Sequence, residues 1–441
     1  MEFPETRPFF LENASFFKTP NPLFFSRRII EPSAGLHLTG RKDSWSYGGL
    51  MMDDKAATSL STSDPHLALA AKTAKIGMLR AQNDVSDDLQ LGVLMTEKRL
   101  ENERNSVLGF DARFHLDANW AMQTQLAQSE TRADQNSTGQ LRYVDVKHEG
   151  KHLEYEAKYV DITPKFDTRL GFLPRTDMKQ IAQNAKYLWH IADHSWLQSI
   201  GPVLESRYTR SHEGQLQDWQ HEMGVSASAT GNTLFLAKIE RGMERFQEQN
   251  YHKPGVEIQL HTGWFDWLQI DSEWNWTKGI NYQPSEFANE LAKTKPNQLL
   301  GTARSVDLRL EFKPHVQWRF EEKIVWNDLR NDGGDLVFKN LTARSKLSYQ
   351  HNRFLGVRWL MDYQILSANP KWTTLKSGKQ LNTDIQLSYI LSPGTTLYAG
   401  YGNRQENLAW TGHPNRLQRT DNLELRTGSR VFIKLNYLFQ L

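Results

Sequence analysis

The last twelve residues, RVFIKLNYLFQL, constrain the fold more than any other stretch of this chain. Counting back by twos gives Leu441, Phe439, Tyr437, Leu435, Ile433 and Val431, all apolar. The other register gives Gln440, Leu438, Asn436, Lys434, Phe432 and Arg430, mostly polar. Successive side chains of a strand point to opposite faces, so this segment has one greasy face and one wet face. It also ends on its last apolar residue. A strand of that kind at the carboxyl terminus suits the closing strand of a transmembrane β-barrel.

The same alternation recurs upstream. Leu108, Phe110, Ala112, Phe114 and Leu116 alternate with Gly109, Asp111, Arg113 and His115, and Trp120, Met122, Thr124 and Leu126 follow on one face. Leu153, Tyr155, Ala157 and Tyr159 alternate with Glu154, Glu156 and Lys158. Val256 to Trp264, Leu268 to Trp276, Val306 to Phe312, Leu355 to Ile365 and Ile385 to Leu391 repeat the pattern, with turns expected at Pro314 and Pro393–Gly394. Long polar connections such as 281–302 and 404–422 are expected on one side and tight turns on the other, as in barrels of the bacterial outer membrane. A soluble propeller or sandwich also alternates. Long strands, a densely charged polar face and Trp and Tyr at strand ends favour the membrane reading.

Composition agrees. Only 39% of the 441 residues are hydrophobic, yet 11% are aromatic, with 14 Trp, 14 Tyr and 21 Phe. Aromatic girdles around a polar interior produce that combination. The 53 basic and 51 acidic residues leave a net charge of +2, which carries no footprint for nucleic acid. Without cysteine there is no disulfide framework and no thiolate metal site. No apolar run is long enough for a membrane-spanning helix. The opening MEFPETRPFF lacks a basic region followed by an apolar one, so the sequence is expected to begin inside a longer exported precursor.

Residues 1–34 read differently. Phe3, Phe9, Phe10, Phe16, Phe17, Phe24 and Phe25 are interspersed with Pro4, Pro8, Pro20 and Pro22, which disfavour regular helix and remove ladder donors. We read 1–34 as an irregular, plug-like segment in the lumen and 35–441 as the barrel. Arg7, Glu12, Arg27 and Arg28 lie among these aromatics. They are candidate lumen contacts for a ligand, or else pins that hold the segment in place, since charges in apolar company are paired or wet. Arg175, in ITPKFDTRLGFLPRTD, belongs to a shaped turn or lumen-facing corner.

Chemistry is sparsely marked. His190 and His194 share one face but lack a third metal ligand. Asp328, Asp332 and Asp335 in DLRNDGGD miss the spacing of a calcium loop. No nucleophile elbow, phosphate loop or HExxH occurs, so no catalytic, cofactor-binding or metal residue is assigned; a non-enzyme is the favoured reading, and a barrel enzyme with a Ser–His pair at the membrane face stays open.

RPFFLENASFFKTPNPLFFSRRI, YVDITPKFDTRLGFLPRTD, LSPGTTLYAGYGNR and VFIKLNYLFQL together resemble one family over essentially the whole chain. It is an outer-membrane β-barrel domain family that commonly follows a family-9-type carbohydrate-binding domain in Gram-negative bacteria. The resemblance implies a cell outer membrane location and contact with lipid and the barrel-assembly machinery. Measured against that family, the carbohydrate-binding domain, the signal peptide and the first barrel strands are expected to lie outside the sequence given. Leu441 stands where an aromatic is usual, which would slow recognition by the assembly machinery. The family has no established catalytic residues to carry over.

The expectation is therefore an all-β fold: a single large transmembrane antiparallel β-barrel of about 18 to 24 strands, with the amino-terminal segment inside. Its expected role is passage or surface handling of a hydrophilic solute such as a saccharide or peptide. The alternatives are a carbohydrate-processing protein and a non-transporting barrel that anchors a carbohydrate-binding domain.

Overall fold

The structure, a computed structural model, describes residues 7–11, 14–57, 72–191, 195–295, 297–411 and 416–437. Nearly all regular structure is strand, and one sheet takes in 23 strands. No helix of the described residues is long and apolar enough to cross a membrane. The chain divides into two compact units, Met1–Tyr187 with Glu205–Gln220, and Leu188–Leu204 with His221–Leu441.

In the first unit a four-residue helix α1 (Pro8–Leu11) and two 3-10 turns (Ala14–Phe17, Ser26–Arg28) precede the sheet. Pro8 opens α1, where its missing N–H costs nothing. The strands are β1 (Pro32–Lys42), β2 (Trp45–Ala57), β3 (Lys72–Ser86), β4 (Leu89–Leu100), β5 (Glu103–His115), β6 (Trp120–Arg132), β7 (Ser137–Glu149), β8 (Leu153–Ile162) and β9 (Met178–Tyr187). Each pairs antiparallel with the next. The first strand starts at Pro32, three residues ahead of the boundary expected at Gly35. Beyond β9 come β10 (Trp189–His190), β11 (Leu197–Arg210) and β12 (Leu216–Ala229), of which β11 and β12 each contribute residues to both units.

The second unit continues with β13 (Thr233–Phe246), β14 (Gln249–His252), β15 (Gly255–Phe265), β16 (Leu268–Ile280), α2 (Glu286–Thr294), β17 (Leu300–His315), β18 (Trp318–Asn331), β19 (Leu336–Gln350), β20 (Leu355–Ala368), β21 (Gly378–Ser392) and β22 (Thr395–Glu406). A short hairpin, β23 (Leu408–Thr411) and β24 (Arg416–Arg419), interrupts before β25 (Leu425–Tyr437) returns to pair with β22. Consecutive hairpins from β15 to β22 leave no crossover.

Antiparallel order sends alternate connections to opposite ends. In the second unit 266–267, 316–317, 351–354 and 393–394 are tight and share one end, while 281–299, 332–335, 369–377 and 407–424 share the other. Pro393–Gly394 is a turn as expected, with Gly394 at φ +83°, a value L side chains rarely adopt. Two details differ from the sequence reading. Pro314 stays inside β17, at a register irregularity near its end, and the turn falls at 316–317. The 281–302 connection is not plain loop. Ser285 caps α2 by accepting from the Ala288 amide at 3.2 Å, and Ala288 and Ala292 turn inward on one helical face.

The fold is that of a transmembrane antiparallel β-barrel. Its apolar faces are bare: Leu36, Leu38, Met51, Leu108, Phe110 and Leu126 are exposed in the first unit, and Ile239, Trp274, Trp276, Trp359 and Ile385 in the second. In β25 the expected face is Val431, Ile433, Leu435 and Tyr437, which are 78, 76, 58 and 67% exposed. Phe439 and Leu441, assigned to the same face, lie outside the described residues. Soluble sheets bury such faces, whereas a membrane strand presents them to lipid.

Candidate functional site

Among the described residues, the polar faces opposite the bare ones carry the paired charges from which a site could be built. In the first unit this inner face is covered by the amino-terminal segment. Phe10, Phe17, Leu23 and Ile29 are buried with Leu50, Met52, Ile76, Met78, Leu94, Val107 and Leu141 from the strands. Leu23 is fully enclosed and lies over Gly109, which provides the space.

Polar contacts fix the segment at several points. The buried Asp54 carboxylate accepts from the amides of Ile30 and Glu31 at 3.2 and 2.7 Å. The buried Gln125 exchanges three bonds with Asn21 at 2.7, 3.1 and 3.2 Å. The connection after β8 clasps the same segment: Phe25 donates its amide to Leu170 O and Phe172 to Pro22 O.

Two of the candidate charges take part in contacts of this kind. Arg7 donates to the carbonyls of Ile29 and Ser26 at 2.7 and 2.9 Å and lies 4.3 Å over the Phe10 ring. Arg28 donates to Gly171 O at 3.0 Å beside Phe172. Arg7 thus bonds within the segment, and Arg28 fastens the segment to the connection after β8. Arg27 is exposed at the end of the second 3-10 turn, and Glu12 lies outside the described residues. Arg175 joins the corner after β8 to β12 through Asp218, at 2.7 Å. The structure does not bring Arg175 together with Arg7 and Arg28 through any shared contact among the described residues.

Sequence reading missed a buried network beneath the segment. Arg80 forms a two-bond pair with Asp111, one bond at 2.8 Å. Arg169 pairs with Glu103 at 2.7 Å and Asp167 at 3.2 Å, and Asn105 links Thr131 to the Asp167 and Arg169 backbone. The signal was a charged residue inside each alternating run, but the partner strands could not be chosen from sequence.

The metal readings find no support. Asp328 sits in β18, paired with Arg304 at 2.9 Å, whereas Asp332 and Asp335 belong to the following turn, Asp332 with Lys278 at 2.6 Å. His190 is in β10, and His194 lies outside the described residues. Among the described residues no group of three or more His, Cys, Asp or Glu could hold a metal ion.

In the second unit the inner face is an open lattice of paired charges. Arg319 bonds Glu311 at 2.8 Å, Lys323 lies 3.6 Å from Asp307, Arg344 grips Asp362, Lys346 reaches Glu321 at 2.5 Å, and Arg430 lies 3.7 Å from Asp384. Partly exposed pairs of this kind contribute about 0–1 kcal/mol each, so they define polarity more than stability. Neither sign dominates.

At the long-loop end a cap covers part of that face. The 281–299 and 369–377 connections interlock through Asn281 donating to Trp372 O at 2.8 Å and Thr373 to Gln283 O at 2.7 Å. Beneath lies a cavity of about 410 Å³. Tyr282 stands at this cavity with its hydroxyl donating to Glu244 at 2.8 Å. Burial of that end, then the hydrogen bond and charge of Glu244, raise the phenol above its ordinary pKa. A larger groove of about 520 Å³ in the first unit is bordered by Met95, Leu108, Phe110 and Leu126. It lies on the bare apolar side and suits lipid tails better than a solute.

No family model matches the chain, and no curated protein matches it. Among solved structures it is similar to the FrpB iron transporter from Neisseria meningitidis, at 10% identity and a TM-score of 0.49, over 91% of this chain and 78% of that one. The siderophore receptor PirA from Acinetobacter baumannii is 10% identical with a TM-score of 0.48, covering 84% of this chain and 73% of its own. The copper transporter OprC is 11% identical with a TM-score of 0.47, covering 84% and 76%.

Proposed function

We propose that this chain is an outer-membrane barrel through which a hydrophilic solute passes, along the charged inner face of the second unit. One observation carries the reading: exposed apolar residues and salt-bridged charges alternate along the same strands, as Trp318 and Phe320 do with Arg319 and Glu321. Such strands need lipid on one side and water on the other. The balanced charges suit a solute of low net charge, and a saccharide or peptide has that polarity. The assembly machinery would meet the apolar face of β25. The family resemblance adds an expected carbohydrate-binding domain as neighbour.

Covering of the first unit's inner face by the amino-terminal segment favours a second reading, a barrel that anchors another domain without transport. Planar-bilayer recording on the refolded chain separates the two. Discrete conductance steps support passage. Heat-modifiable electrophoretic mobility without conductance supports the anchor, and a soluble product without a mobility shift removes both.

A further inference from the structure

The cavity under the cap of the second unit differs chemically from the face around it. Strand register places Asn275 opposite Ser305, Ser305 opposite Asn327, and Asn327 opposite Asn340, giving one uncharged polar row across four strands. The next row toward the tight turns carries Glu273 and Asp307. The next row toward the cap is Thr277, Ala303, Leu329 and Phe338. The cavity thus lies where a charged wall gives way to an apolar one.

Its hydrogen-bonding groups are available. Among the described residues, the side chains of Gln283, Ser305 and Asn327, all at the cavity, make no hydrogen bond. Asn275 spends one donor on Glu273, at 2.7 Å, and keeps its carbonyl oxygen. The charges at the border are already matched, Lys253 to Glu244 at 3.0 Å, Lys278 to Asp332 at 2.6 Å and Arg304 to Asp328 at 2.9 Å. An ionic ligand would find no unmatched partner in any of them. Tyr282 adds an aromatic surface, half exposed, whose hydroxyl Glu244 holds.

We infer that this cavity binds a neutral saccharide unit. Amide and hydroxyl groups match a ring of hydroxyls, each able both to donate and to accept. The Tyr282 ring and Phe338 offer apolar surface to the C–H face of the sugar. A volume of about 410 Å³ is in the range of small-molecule sites. A peptide fits less well, because its charged termini or side chains would meet pairs already closed. The inference rests on the reading that solute reaches the inner face.

The test is calorimetric titration of the refolded full chain, in a detergent without a sugar headgroup, with maltose and separately with digalacturonate. Maltose binding, absence of digalacturonate binding, and an affinity weakened by about tenfold in Asn327→Ala are expected. Should that variant fail to show heat-modifiable mobility, Tyr282→Ala changes only a loop residue and is expected to weaken maltose similarly. No maltose binding up to about 20 mM, equal binding of both sugars, or unaltered affinity in the variants overturns the inference. Bilayer conductance measured in parallel keeps the two readings apart: conductance without sugar binding leaves passage standing and removes this site, whereas sugar binding without conductance does the reverse.

Discussion

A Cβ placed on Gly109 would lie 2.4 Å from Leu23 Cδ1. Leu23 belongs to the amino-terminal segment and Gly109 to the inner face of β5, so a missing side chain on a strand is the seat for a plug residue. Gly109→Ala overpacks this fully enclosed leucine and should cost about 1–3 kcal/mol. Leu23→Ala should cost about 2–5 kcal/mol by leaving a cavity. Because Leu23→Ala also removes the clash, the double variant should be more stable than the sum of the two. Urea unfolding in lipid vesicles measures this, and additivity within about 0.5 kcal/mol would rule the seat out.

Arg80 and Asp111 pair across strands that are not adjacent, with the Arg80 side chain 2% exposed. Gly92 on the strand between leaves room, since a Cβ there would fall 2.7 Å from both partners. Arg80→Ala strands a carboxylate and should destabilise by about 3–5 kcal/mol. Arg80→Met with Asp111→Leu should recover most of the loss. A cost below about 1 kcal/mol for Arg80→Ala would mean that the pair behaves as an exposed one.

Asp117 closes the turn after β5 by accepting from the amides of Asn119 and Trp120 at 2.7 and 2.8 Å. Those bonds lower its pKa below the usual carboxylate value. A carboxylate depressed by folding stabilises above its unfolded pKa, and the gain is lost as pH falls through its folded pKa. The stability difference between the wild type and Asp117→Ala should therefore be constant near neutrality and shrink on acidification. A difference unchanged down to about pH 2 would refute the assignment.

Tyr282 has the opposite sign. Its raised phenol pKa favours the folded chain while protonated, a contribution present below the unfolded value of about 10 and lost as pH climbs through the folded one. The ultraviolet difference between wild type and Tyr282→Phe should show a phenolate appearing later than free tyrosine, and Glu244→Gln should bring it earlier. Ionisation at the ordinary value would deny the Glu244 contact.

Alternation alone makes the sheet legible. The period-two pattern in VFIKLNY states which side of β25 is greasy, because strand geometry leaves only two faces. The lopsided connections are legible too, as polar stretches between runs. The helix within 281–302 is not, since its nine residues give too short a periodic signal, although Ser285 and Glu286 carry the start of one.

For the candidate charges, the sequence by itself determined that Arg7 and Arg28 stand among aromatics, and left open whether they face a solute or serve the segment. Only the tertiary structure supplied their partners, by bringing backbone carbonyls 19 to 143 residues away within reach. The uncharged row followed the same rule. In TrpAsnTrp at 274–276 and TrpAsn at 326–327 the sequence shows an amide behind a lipid-facing indole, and nothing more. That Asn275, Ser305, Asn327 and Asn340 share a row depends on the register of three hairpins. A shift of one residue in any of them would turn the amide toward lipid, so register, fixed by turns and whole-face burial together, is what only the folded sheet could supply.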